Sequence, residues 1–155
     1  MNFDRRAVTA PTLELANWVS ALRYADLPQR TREVVRIAIL DTLGAGVYGF
    51  ATPWAQMLLA WARRGGGASE ATVWGDAQAS LRAADAALVN GVAAHAFELD
   101  DYHNAKLHPG AVVIPAAIAI AERMNSTGAE LVTAIAAGYE VMIRSSLALN
   151  PTAAR

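Results

Sequence analysis

The chain has 155 residues, of which 54% are hydrophobic and only 17% charged, with 13 basic residues against 14 acidic and no cysteine. That length suits one domain with a substantial core, and the apolar content excludes a disordered chain. The balanced charge offers no basic stripe for nucleic acid, and the missing thiols exclude disulfides, thiolate metal sites and a cysteine nucleophile.

Much of the apolar content is alanine, the strongest helix former, so the expected fold is all-α: about six helices with at most one short strand near 71–74. Residues 1–11 read as a tail. Its start, MNFDRRAVTAPTLEL, has no apolar run after the arginines, so no secretory signal is expected and the location reads as cytoplasmic. The domain proper is expected over 12–150. Thr12 caps a first helix over about 13–25, where Leu13, Leu15, Trp18, Val19 and Leu22 recur at helical spacing. Leu27-Pro28 opens a second helix. Thr52-Pro53 opens a third over about 53–64, closed by Arg63, Arg64 and glycines 65–67. ATVW at 71–74 is the one plausible strand, followed by a Gly75-Asp76 turn. Ser80 caps a fourth helix over about 81–98 and a polar loop follows at 99–110. A fifth helix covers about 111–124. Thr127-Gly-Ala-Glu130 is a capping box for a sixth, which ends near Leu149 before a tail at 151–155.

Residues 42–62 carry no charge over a length that could cross a bilayer, but Thr52-Pro53 interrupts them. Two soluble helices joined by a turn explain the run better than a membrane span. Helices five and six are apolar on nearly every side, which calls for neighbours all round. A partner subunit or further chain is therefore expected.

Chemistry concentrates in one window. His95, Glu98, Asp100, Asp101, Tyr102, His103, Asn104, Lys106 and His108 fall together, and these are all three histidines of the chain. A histidine beside carboxylates exchanges protons near neutral pH. Each residue also has a plainer reading: the aspartates as loop solvation or caps, His95 as a core histidine in mid-helix, and His108-Pro109-Gly110 as a turn. A metal reading is weaker, because no close His-x-x-x-His or facial-triad spacing is present. Glycines 65–67 lack the lysine–serine ending of a phosphate loop.

The run ALVNGVAAHAFELDDYHNAKLHPGAVVIPAAIAIAE at 87–122 resembles the MmgE/PrpD family of 2-methylcitrate dehydratases and their relatives. So do LDTLGAGVYG at 40–49 and TGAELVTAIAAGYEVMIR at 127–144. The resemblance covers about 12–150 and implies the N-terminal part of a large all-α domain, which in this family works with a smaller α+β domain, usually in a homodimer. It implies a lyase acting on a small di- or tricarboxylate by moving a proton next to a carboxylate, with neither metal nor organic cofactor. Dehydration is the leading expectation, with epimerisation or decarboxylation as alternatives.

In the decarboxylases of the family an acid, a threonine and a histidine of this loop face the substrate, and these fall on Glu98, Tyr102 and His108. The resemblance thus implies His108 as acid/base, Tyr102 as hydrogen-bond donor and Asp101 as the residue that orients the loop. Glu98, Asp100, His103, Asn104 and Lys106 are expected to contact substrate. A further histidine and lysine of the family site would lie past Arg155, so a completing polypeptide is one expected partner. The non-enzymatic alternative is a truncated helical dimerisation module.

Overall fold

The computed structural model describes residues 10–149. It contains six helices: α1 (Pro11–Ala21), α2 (Gln29–Gly49), α3 (Pro53–Gly65), α4 (Ala83–Ala94), α5 (Pro109–Met124) and α6 (Gly128–Leu149). Between α3 and α4 lies a hairpin of β1 (Ala71–Val73) and β2 (Asp76–Leu81). The all-α reading stands, with two corrections. The expected N-terminal tail overlaps α1, which starts at Pro11; residues 1–9 and 150–155, including the expected C-terminal tail, lie outside the described residues.

The second correction concerns the single strand. β1 needs a partner for its backbone groups, and DAQASL supplies one as β2, pairing antiparallel with Ala71 opposite Leu81 and Thr72 opposite Ser80. β2 alternates polar and apolar residues, but two of its three apolar positions are alanine, a poor strand former and a good helix former, so its sequence resembles the start of the helix that follows. Ser80 is therefore not a helix cap: its hydroxyl donates across the hairpin to the Ala71 carbonyl. The cap comes from a distance. The Glu70 carboxylate accepts the Ala83 N–H at 2.9 Å, at the first turn of α4.

α4 is the central element and touches α2, α3, α5 and the hairpin. Its buried residues are mostly alanine, so neighbouring backbones come very close. A Cβ on Gly49 of α2 would collide with the Ala93 carbonyl. A Cβ on Gly91 would lie 2.7 Å from the Ala111 carbonyl oxygen. That oxygen has no helical donor, because the residue four positions on is Pro115. Asn90, buried in α4, holds the hairpin: its Oδ1 accepts the Trp74 N–H and its Nδ2 donates to the Thr72 carbonyl, both at 2.9 Å. Leu27, Val35, Trp74, Ile114, Val132 and Ile135 form the larger part of the main core.

α2 and α3 meet at 90°, so the charge-free run 42–62 is two helices and a turn. By length and composition alone, α6 and the α2–α3 pair each match a membrane-crossing helix. Large apolar side chains stay exposed on α2 (Val34, Ile37, Leu40, Val47), on α3 (Met57, Trp61) and on α5 (Val112, Ile120).

The tight α2–α4 contact predicts opposite outcomes at two glycines of one helix. Gly49→Ala forces backbones apart and should cost about 1–3 kcal/mol. Gly44→Ala meets nothing within 4 Å and should stabilise by about 0.5–1 kcal/mol through helix propensity. Urea denaturation of the two variants checks both signs.

Candidate functional site

α4 ends at Ala94, and residues 95–108 form the loop that leads to α5. Pro109 occupies the first turn of α5, with His108 as its cap residue. Two residues along the loop, Glu98 and Lys106, adopt left-handed backbone angles (φ 51° and 60°), conformations that cost energy for side chains of this kind. The surroundings hold them there. Asp101 accepts the Gly110 N–H on Oδ1 and the Tyr139 hydroxyl on Oδ2, both at 2.7 Å. One carboxylate thus fastens the loop to the first turn of α5 and to the middle of α6. Glycine is required at 110, since a Cβ there would lie 2.5 Å from Asp101 Oδ1 and 2.8 Å from the Thr42 hydroxyl.

The loop also closes on itself. His103 N–H donates to the Leu107 carbonyl at 2.9 Å, and His103 Nδ1 accepts the Ala105 N–H at 3.1 Å. The Ser146 hydroxyl of α6 donates to the Ala105 carbonyl at 2.7 Å. Because Nδ1 of His103 accepts, the proton of the neutral ring sits on Nε2.

With the loop so held, His95, Asp100 and His108 come together. The Asp100 side chain is wholly buried, while His95 and His108 keep 45% and 26% of their side-chain exposure. Asp100 Oδ1 lies 3.0 Å from His95 Nδ1 and 3.4 Å from His108 Nδ1. The two imidazole rings are 4.8 Å apart, and the Tyr102 ring stands edge-on 5.5 Å from His108. A carboxylate only accepts, so His95 Nδ1 donates to it and Nε2 is left for other work. Asp100 Oδ2 and His108 Nδ1 are buried without a hydrogen-bond partner among the described residues. One ligand atom from each of the three residues falls within 4.8 Å of the others, so the trio could also hold a metal ion.

Both histidines line a cleft of about 730 Å3 whose other walls include Trp54, Leu88, Val92, Val112 and Met142. Among the described residues of that lining, the two imidazoles are the only ionisable side chains. A ligand with several carboxylates would need further cations or donors from elsewhere.

The sequence-derived candidates divide accordingly. Asp100 and Tyr102 gather around His108, which lines the cleft. Asp101 is not part of the cleft lining, and both its oxygens are engaged in holding the loop. His103 shapes the turn, and Glu98, Asn104 and Lys106 are exposed on the loop. His95 does not lie in mid-helix: the helix stops one residue earlier, and His95 caps it with its ring turned to Asp100. Neither glycine nor proline marks that stop, which is why helical spacing ran on to 98. Tyr139 drew no attention either. Its one signal was a lone phenol in an otherwise apolar stretch of α6, and a buried phenol needs a partner.

The family model for the MmgE/PrpD N-terminal domain matches residues 13–155. The chain belongs to the MmgE/PrpD family. It is 32% identical over 137 residues to the cis-aconitate decarboxylase of Homo sapiens, covering 86% of this chain and 28% of that protein. It is 29% identical over 143 residues to the cis-aconitate decarboxylase of Aspergillus terreus, covering 88% of this chain and 29% of that protein. A cis-aconitate decarboxylase-like protein of Aspergillus oryzae is 30% identical over 152 residues, 83% of this chain and 28% of that protein. The chain therefore spans less than a third of the length of these curated relatives, whose named activity is that of a lyase.

In this MmgE/PrpD domain Tyr139 is the phenol that the loop depends on. Burial pushes its hydroxyl well above the ordinary tyrosine range, and the hydrogen bond to Asp101 adds to this, as do the charges of Asp101, Asp41 and Asp100. The folded state therefore keeps this proton at a pH where the unfolded chain, with tyrosine near about 10, has lost it. The contribution is complete below that value and declines as pH rises above it. Tyr139→Phe leaves Asp101 Oδ2 without its donor and should cost about 1–3 kcal/mol near neutral pH. Its stability should also fall less steeply than wild type above about pH 10. Denaturation midpoints measured from pH 7 to 11 test both effects.

Proposed function

We propose that this chain supplies the proton-transfer part of a MmgE/PrpD lyase site for a small di- or tricarboxylate. The observation that carries the reading is the pair of imidazoles on one wall of a cleft, backed by the buried Asp100. His108 exchanges a proton with the carbon next to a substrate carboxylate, and Tyr102, beside it, donates a hydrogen bond. The reaction needs no cofactor. Dehydration of a hydroxy-tricarboxylate of the 2-methylcitrate type is the first reading. Decarboxylation of an unsaturated tricarboxylate is the second, and the names of the relatives favour it. Against it, the threonine of the family's decarboxylases is replaced here by Tyr102, a far bulkier donor.

Two features support completion of the site by further polypeptide, from a homodimer partner or additional chain. The cleft lining lacks cations other than histidine, and α2 and α3 expose large apolar side chains. A bare dimerisation module would not need a buried aspartate set between two histidines, an arrangement that costs desolvation energy. The cytoplasm, where such metabolites circulate, is the proposed location.

Ligand binding to this chain together with the polypeptide that completes its site tests the reading directly. A tricarboxylate at about 100 times its Kd should stabilise the fold by about 2.7 kcal/mol. That corresponds to a Tm rise of about 5–10 °C for a chain of this size. His108→Asn should abolish most of the rise. If neither citrate, 2-methylcitrate nor cis-aconitate moves the wild-type Tm, the polycarboxylate reading fails. If they do, proton NMR of the products separates loss of water from loss of carbon dioxide.

A further inference from the structure

We infer that His95 is a second proton-transfer residue, paired with His108 through Asp100, so that the cleft carries an acid and a base together. The inference rests on the polycarboxylate reading and adds to it a residue, a direction of proton flow and a role for the buried carboxylate.

The argument starts from Asp100. A carboxylate with no exposure is stable only beside donors or a cation. Its Oδ1 has two lone pairs and two imidazole Nδ1 atoms near it, at 3.0 and 3.4 Å. When both Nδ1 atoms carry hydrogen, both Nε2 atoms are released from structural duty. His95 and His108 both line the cleft, so those atoms are the ones available to a ligand. The His108 contact is long and poorly aligned, and its Nδ1 has no hydrogen-bond partner among the described residues, like Asp100 Oδ2. Catalytic hydrogen bonds often have this form before ligand binding and tighten in the complex.

Charge sets the proton count. One imidazolium balances the Asp100 carboxylate. A second would face the first ring at 4.8 Å with no further carboxylate to balance it, because Asp101 is committed to Gly110 and Tyr139. Tyr102, the remaining ionisable group beside His108, adds no negative charge while it stays a phenol. An elimination requires one ring that gives a proton and one that takes it, and a carboxylate shared by two imidazoles suits such a pair.

In dehydration, neutral His108 takes the proton from the carbon next to the carboxylate through Nε2. The electron pair of that C–H bond forms the carbon–carbon double bond as the C–O bond breaks. Protonated His95 gives its Nε2 proton to the departing hydroxyl, which leaves as water. One proton enters the pair and one leaves it, so the cluster's charge is unchanged and only the location of the proton has moved. Exchange with solvent, easier at the more exposed His95, restores the starting state. Asp100 is a positioning residue throughout: it holds the His95 ring and tautomer through the 3.0 Å bond, and those of His108 once the 3.4 Å contact tightens in the complex.

Nitrogen-15 NMR of the histidine rings in this chain, at a pH where they are neutral, reads the tautomers. His95 and His108 should both carry hydrogen on Nδ1, with His103 on Nε2 as the internal contrast, and Asp100→Asn should release the first two to the ordinary Nε2–H form. A wild-type Nε2–H form at either His95 or His108 overturns the pairing. Turnover by this chain together with the polypeptide that completes its site then tests the direction of flow with 2-methylcitrate in deuterated water. His95→Asn keeps a donor for Asp100 but cannot pass a proton. It should lose about 100-fold or more in kcat for dehydration, while still exchanging deuterium at the carbon that His108 serves. His108→Asn should lose both.

Wild-type turnover in His95→Asn, or equal loss of exchange and dehydration, overturns the role of His95. So does activity lost to a chelator and restored by a divalent ion, which would place a metal on the three residues. If the wild type neither turns over nor exchanges any tricarboxylate, the function reading fails and this inference with it, whatever the tautomers. If turnover is normal and the tautomers are wrong, this inference alone fails.

Discussion

The loop that carries the candidate site depends on one carboxylate. Asp101 joins the loop to the first turn of α5 through Gly110 and to α6 through Tyr139. Its neighbour Asp100 is thereby held in a buried position between two imidazoles. Without that double attachment, a loop of fourteen residues with two left-handed non-glycine positions would have little reason to keep one shape. The adjacent acids thus divide the labour: one organises the backbone, and the other organises the rings.

This arrangement explains why a charged cluster is tolerated beside an alanine-rich core. Asp100 is expensive to bury, but it lies where α4 ends and α5 begins, so the donors it needs come from residues the chain must place there anyway. His95 caps one helix and His108 the other. The histidines therefore sit on rigid elements, as a site that must align a proton within a few tenths of an ångström requires. The cleft beside them is otherwise apolar, which strengthens electrostatic interactions within it. It also lacks the cations that a polycarboxylate demands. In the proposed function the domain holds the proton chemistry, and recognition of the carboxylates falls to groups outside this cleft lining.

Packing follows the same economy. α4 touches most of the other elements, and its small residues let α2 and α5 approach to backbone contact at Gly49 and Gly91. The free Ala111 carbonyl above Pro115 turns towards Gly91, so a proline that weakens α5 also marks where α4 comes closest. Such contacts fix the separation of the two helices that carry His95 and His108. The outer faces of α2 and α3 are different: their large apolar side chains remain exposed, consistent with a domain that is one part of a longer family architecture.

Read alone, the sequence determined the helical class, most helix boundaries and the window in which the site lies. These follow from local causes: alanine content, apolar periodicity, proline at helix starts and a capping box at Thr127 and Glu130, whose reciprocal bonds the structure contains. It also determined the family, because the ordered block from His95 to Gly110 is itself a sequence property. Three features were settled only in the tertiary structure. β2 forms because β1 needs a partner, and the alternation in DAQASL rests largely on alanines that suit a helix equally well. α4 stops at Ala94, where the ring of the cap residue His95 bonds an aspartate five residues on. Tyr139 matters because the fold brings it to Asp101 from thirty-eight residues away. Each is decided by a hydrogen-bonding group finding a partner that folding, rather than sequence spacing, places beside it.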